Sequence, residues 1–186
     1  MKLPPRAKLA LIAGLFALPI AASLTVYRFF PPEPSANYGE LILPPQSLVE
    51  DALSRPAGTA FRFRELRDRW ILVASDSGAC DARCAAKLHV MRQARLALGR
   101  DATRVARVFV ADDGLAPEPS ALGPLEDLIV AVTPRGLAIP AGPANDRAHI
   151  YLADPHGNVM MRWSSQPDFR GMLKDLVRLL KASQIG

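Results

Sequence analysis

The chain has 186 residues, 49% of them hydrophobic and 22% charged, with a formal net charge of +5. That length suits one folded domain plus an appendage, and the apolar share is enough for a packed core. The basic residues are mixed with acids and no basic run is interleaved with stacking aromatics, so the composition gives no reason to expect nucleic acid as a partner.

The appendage comes first. Met1–Lys8 carries Lys2, Arg6 and Lys8, and the run from Leu9 to Tyr27 has no charge. Its length of about 19 residues is close to what a bilayer-spanning helix needs. Arg28 closes the run, with Phe29 and Phe30 at the expected interface. Because the basic side is the short N-terminal tail, the positive-inside tendency keeps that tail in the cytoplasm and exports the rest of the chain. Ala21-Ala22-Ser23 would also suit a signal peptidase, but the apolar run continues through Leu24 to Tyr27, which favours an uncleaved single-pass anchor in the inner membrane. Either way the soluble part lies outside the cytoplasm, in a bacterium in the periplasm, where thiols oxidise unless they are reduced or ligated.

Many of the 17 prolines cluster. Residues 31–58 contain Pro31, Pro32, Pro34, Pro44, Pro45 and Pro56 and read as a semi-extended tether. The folded domain is expected over residues 59–186. Phe61-Arg-Phe-Arg64 alternates as a half-buried strand does, and Trp70-Ile-Leu-Val-Ala74 is a short apolar run fit for a buried strand. A helix is expected from about Asp81 to Leu98, with Gly99 as its stop. Arg104–Ala111 is a second buried strand ending in Asp112-Asp-Gly114, and Leu122–Val132 fits helix or strand. His149–Ala153 and Val159–Trp163 form a hairpin across the turn Asp154-Pro-His-Gly-Asn158. Phe169, Met172, Leu173, Leu176, Val177 and Leu180 then recur at helical spacing.

The order strand, helix, strand, hairpin, helix predicts an α/β thioredoxin-like fold, a central mixed sheet flanked by helices. Cys80 and Cys84, the only cysteines, fall at the first strand–helix junction. Residues four apart share a helix face, and a helix N-terminus favours thiolate. Such a pair either closes a disulfide or holds a soft ion, for which copper(I) is the best match. A purely structural bridge is a poor explanation, since closing so short a loop removes little chain entropy. Of the three histidines, His149 opens the hairpin after a Pro/Gly-rich loop and is the candidate third ligand. His89 sits off the cysteine face of the helix, His156 lies in a turn, and Met91 is two turns along, fit for the core.

Trp70-Ile-Leu-Val, Cys80-x-x-x-Cys84, Val108-Phe-Val-Ala-Asp112 and Ile150-Tyr-Leu-Ala-Asp-Pro-His-Gly157, in that order and spacing, resemble the Sco/SenC family. These are membrane-anchored thioredoxin-fold copper proteins that assist assembly of the binuclear copper site in cytochrome c oxidase. The resemblance covers about 120 residues, from the Phe61 strand to the last helix. It implies that Cys80 and Cys84 are redox-active copper ligands, that His149 is the third ligand, and that an oxidase copper-site subunit is the partner. The chain departs from the family pattern in four places. Ser75-Asp-Ser-Gly-Ala79 leads into Cys80 where an aromatic-rich approach is usual. Ala85 follows Cys84 where a proline is usual, Asp146 stands at the usual place of the histidine, and Asp112-Asp-Gly-Leu-Ala-Pro117 replaces the usual string after the second strand.

Three functions are compatible with this pattern. The first is a copper(I) metallochaperone using Cys80, Cys84 and His149. The second is a thiol-disulfide oxidoreductase that reduces the oxidase subunit's cysteines, with Cys80 attacking and Cys84 resolving. The third is an assembly scaffold that needs neither thiol.

Overall fold

The computed structural model describes residues 4–29, 37–48, 53–137 and 146–183. The chain divides into two compact units, Met1–Ala36 and Asn37–Gly186.

In the first unit the uncharged run lies within α1, Pro5–Phe29, which also takes in Arg6, Lys8 and Arg28. At 1.5 Å per residue its 25 residues span about 37 Å, and the helix is long and apolar enough to cross a membrane. Phe30, expected at the interface, lies outside the described residues, as do residues 31–36 and 49–52 of the expected tether.

The second unit is built on one mixed sheet of eight strands: β1 (Glu40–Ser47), β2 (Leu53–Ser54), β3 (Ala60–Phe61), β4 (Trp70–Asp76), β5 (Val105–Ala111), β6 (Leu128–Val132), β7 (His149–Ala153) and β8 (Asn158–Ser164), in spatial order β1-β8-β7-β4-β5-β6-β2-β3. β4, β5 and β6 are parallel, and β7 runs antiparallel to β4 and pairs with β8 as the expected hairpin. Two helices complete the unit, α2 (Ala82–Ala97) and α3 (Phe169–Ala182). The mixed sheet flanked by helices is the thioredoxin-like arrangement expected from the sequence.

Alternation along each strand sorts the core into two layers. Trp70, Leu72 and Ala74 of β4 and Phe109 of β5 face α2 and α3, where they meet Leu88, Met91, Met172 and Leu176. Ile71, Val73, Val108 and Val110 face the other way, toward Ile42, Phe63, Leu66 and Tyr151. β4 and β5 are therefore buried on both sides, which is why they read as continuous apolar runs rather than alternating ones.

Four segments differ from the sequence reading. Two were expected within the tether: Glu40–Ser47 is an edge strand against β8 with Ile42 buried, and Leu53–Ser54 is a short strand between β6 and β3 with Leu53 buried. Pro44 and Pro45 fall at a register shift between Leu41 and Gln46, and an edge strand tolerates proline where a central one cannot. Phe61–Arg64 is not one strand: β3 ends at Phe61 and a 3₁₀ turn covers Phe63–Leu66, fixed by the Arg62 N–H donating to Glu65 Oε1 (2.9 Å). Of the segment 122–132 only Leu128–Val132 is strand, β6, while Leu122 ends a 3₁₀ turn at Pro119–Leu122 and the residues between are loop.

Candidate functional site

Cys80 and Cys84 are joined by a disulfide, with Cα atoms 5.1 Å apart. Asp81 caps α2: its Oδ1 accepts from the backbone N–H groups of Arg83 and Cys84, both at 3.0 Å. The Cys84 N–H is the largest influence holding the Asp81 carboxyl below its ordinary value, with Arg83 adding to it. Cys84 is thus the third helical residue, while Cys80 precedes the cap. Cys80 has φ +37°, the left-handed region that a side chain disfavours. Both cysteines are buried, at 6% exposure for Cys80 and 0% for Cys84, so Cys80 is the more accessible of the two.

The loop carrying Cys80 is held from the end of β5. Asp113 Oδ2 accepts from Ser77 Oγ (2.6 Å), and its Oδ1 accepts from the N–H groups of Gly78 and Leu115, each at 3.1 Å. These bonds, Ser77's first, keep the Asp113 carboxyl below its usual range. Gly78 is required here by close approach: a Cβ at this position would lie 2.1 Å from the Leu115 carbonyl oxygen.

Beneath that loop lies a charged cluster that sequence reading did not identify. Lys87, one turn after Cys84, has a side chain only 1% exposed. Its Nζ donates to the Ser75 carbonyl (2.8 Å), Asp76 Oδ2 (2.8 Å) and the Arg147 carbonyl (3.0 Å). The Arg147 guanidinium in turn grips Asp112, whose Oδ2 also accepts from Ser75 Oγ (3.0 Å). The Asp112 contact is the main cause of the raised Arg147 pKa. One buried ammonium therefore ties α2, the end of β4 and the segment before β7 together. Acids at the carboxyl ends of β4 and β5, with a lysine one turn beyond Cys84 in α2, were the available signal.

His149 is at the same end of the sheet, since its neighbour Ile150 pairs with Ala74, but it faces the opposite side from the cysteines. Ile150 and Leu152 belong to the helix-facing layer with Cys80 and Cys84; Tyr151 and Ala153 belong to the other. His149 shares the side of Tyr151, with ring centroids 6.0 Å apart. Its Nδ1 donates to Asp146 Oδ2 (2.6 Å), and Tyr151 Oη and the Ala148 N–H also donate to that carboxylate. Burial works to raise the Asp146 pKa, but the bonds from Tyr151, Ala148 and His149 outweigh it and hold the carboxyl low. Burial, with Asp146 beside it, pushes the Tyr151 phenol up.

The structure thus joins the two cysteines and does not bring His149 to them. Among the described residues no group of three or more His, Cys, Asp or Glu is arranged to hold a metal ion. The reduced cysteines alone would offer two thiolates, a donor set that fits copper(I). Met91 is in the core, as the sequence suggests, while His89 is exposed on α2 and His156 is exposed in the turn between β7 and β8.

Solved structures share this architecture. Apo Sco1 from Thermus thermophilus aligns over 81% of this chain and 98% of its own, with 17% identity and a TM-score of 0.56. Yeast Sco1 with copper bound aligns over 75% and 95%, with 16% identity and a TM-score of 0.60. BsSco, described as a Sco-family cytochrome c oxidase assembly protein with a disulfide switch, aligns over 75% and 96%, with 10% identity and a TM-score of 0.55. At these identities the likeness is one of fold. No curated protein matches the sequence. The family model described as "Transmembrane-like, thioredoxin-like, C-terminal domain" matches residues 70–183, from β4 through α3. That match spans more than half of the chain, and the chain belongs to this family of transmembrane-like, thioredoxin-like C-terminal domains.

Proposed function

We propose that the chain is a Sco-like assembly factor, anchored by α1 with its thioredoxin-like unit in the periplasm. It acts through the Cys80–Cys84 pair on the copper-site cysteines of a cytochrome c oxidase subunit. The observation that carries this reading is the closure of the pair at the head of α2, with the more accessible Cys80 outside the helix. In the reduced state Cys80 thiolate attacks a disulfide sulfur of the partner and expels one partner thiolate. Cys84 thiolate then attacks the Cys80 sulfur of the mixed disulfide and releases the second. Two electrons pass to the partner, the Cys80–Cys84 disulfide re-forms, and an external dithiol donor must reduce it again.

A second reading adds copper(I) as cargo on the two thiolates. Asp146 favours it: by accepting the Nδ1 proton of His149 it leaves Nε2 as the free nitrogen, the arrangement of a metal-ligating histidine with an orienting carboxylate. His149 would then have to reach the thiolates by movement of residues 146–149 after reduction.

Titration of the reduced full chain with copper(I) separates the readings. Stoichiometric binding weakened by His149→Ala supports copper carriage. No stoichiometric binding with both thiols free, together with disulfide reduction of an oxidase copper-site domain, supports the reductase alone. Neither binding nor reduction removes both.

A further inference from the structure

The outer face of α2 borders a second feature. An open cavity of about 390 Å³ lies between α2 and the 3₁₀ turn at Pro119–Leu122, lined by Ala85, Leu88, His89, Arg92, Arg107 and Leu122 among others. Its size is within the range of small-ligand sites. Three of these residues are basic and three apolar.

Arg107 is the unusual member. It sits in the middle of β5, where the neighbouring positions Ala106 and Val108 are buried and apolar, and is itself only 2% exposed. Its Nη2 donates to the Glu126 carbonyl oxygen (2.6 Å), but its Nε is buried with no hydrogen-bond partner among the described residues. A buried donor left unmade costs about 1–3 kcal/mol, so a guanidinium with an unpaired nitrogen, on a residue that lines the cavity, favours an acceptor there. Burial pushes the Arg107 pKa down to about 10, with Arg95 and Arg92 adding to the shift and Asp127 opposing it. The group stays cationic at neutral pH.

The acids nearby do not fill this role. Asp127 is committed to Arg95 at 2.7 Å. Glu126 reaches Arg92 only at 3.6 Å, with its side chain 81% exposed. Glu126 is therefore a loose counter-ion that an incoming anion can displace.

We propose that this cavity binds a carboxylate on a short apolar stem, the carboxylate seated between Arg107 and Arg92 and the stem against Leu88 and Leu122. The carboxylate belongs to a free acid or to an acidic side chain of another protein. The site shares no residue with the thiol pair and does not depend on the assembly role.

The test uses the full chain in a neutral detergent, with hexanoate as probe and 1-hexanol as its uncharged control. Hexanoate should shift the Arg107 Nε–H resonance and bind at least roughly tenfold more tightly than hexanol. Arg107→Gln and Arg92→Gln should each weaken hexanoate by roughly tenfold, and Glu126→Gln should tighten it. Arg92 is on the helix surface, so its variant decides the matter if Arg107→Gln does not fold. A blocked tetrapeptide, acetyl-Ala-Glu-Leu-Ala-amide, identifies the source: tighter binding than hexanoate assigns the carboxylate to a protein, weaker binding to a free acid. Equal binding of hexanoate and hexanol, or hexanoate binding unchanged in Arg92→Gln, would overturn the proposal.

Discussion

Lys87 Nζ lies 2.8 Å from Asp76 Oδ2, so a buried ammonium three residues beyond Cys84 is neutralised by the last residue of β4. The pair makes the helix that carries Cys84 and the strand that leads to Cys80 one rigid unit. Removing Lys87 leaves Asp76 with the 3.9 Å ion pair to Arg147, and breaking a buried pair costs about 3 kcal/mol or more. Lys87→Met should therefore destabilise the chain by about 3 kcal/mol, read as a lower thermal midpoint. Lys87→Met with Asp76→Asn should recover part of the loss.

Gly78 should tolerate no side chain. A Cβ there meets the Leu115 carbonyl oxygen at 2.1 Å, and that neighbour is backbone rather than a flexible tip. Gly78→Ala should cost about 1–3 kcal/mol. Since Gly78 also donates to Asp113, the variant should change how fast dithiothreitol reduces the disulfide. An unchanged midpoint and an unchanged reduction rate would contradict this.

Asp81 places a carboxylate on the N–H of Cys84, at the helix end that would otherwise favour thiolate. Asn caps a helix about as well as Asp but carries no charge. In Asp81→Asn the reduced pair should be alkylated several-fold faster at neutral pH, because removing a nearby negative charge favours thiolate. The thermal midpoint should stay close to that of the parent, since the cap is kept. Slower alkylation would contradict the argument.

Asp146 links acid stability to the orientation of His149. Its carboxyl is held below the ordinary value by its bonds. The resulting stability is fully present above the unfolded-chain pKa of about 3.9 and is lost as pH falls through the lower folded value. Asp146→Asn should then cost about 2 kcal/mol at pH 7, and the difference from the parent should shrink below about pH 4. A difference that stays constant from neutral pH to well below that point would contradict the assignment.

The sequence shows the thioredoxin-like order because its signals are local. β4 and β5 are apolar runs, α3 repeats at helical spacing, and Asp154-Pro-His-Gly-Asn158 is a turn by residue type. β1 was hidden because Pro44 and Pro45 read as linker, and only the bulged pairing with β8 explains them. The closeness of Cys80 and Cys84 came from spacing alone. The facing of His149 did not, since it depends on which parity of β7 meets α2 and on the Tyr151 and Asp146 contacts. The Lys87–Asp76–Arg147–Asp112 network joins residues from four segments far apart in the chain, and the acids at the strand ends and the lysine in α2 do not by themselves say that they meet.

The central claim is that the thiol pair does the work. It is tested most directly by expressing Cys80→Ser/Cys84→Ser in cells lacking the wild-type chain and measuring the copper content and activity of the oxidase. The account predicts a folded, membrane-bound variant with an oxidase that lacks its copper site. Normal copper content and activity would contradict it and leave the fold as a scaffold.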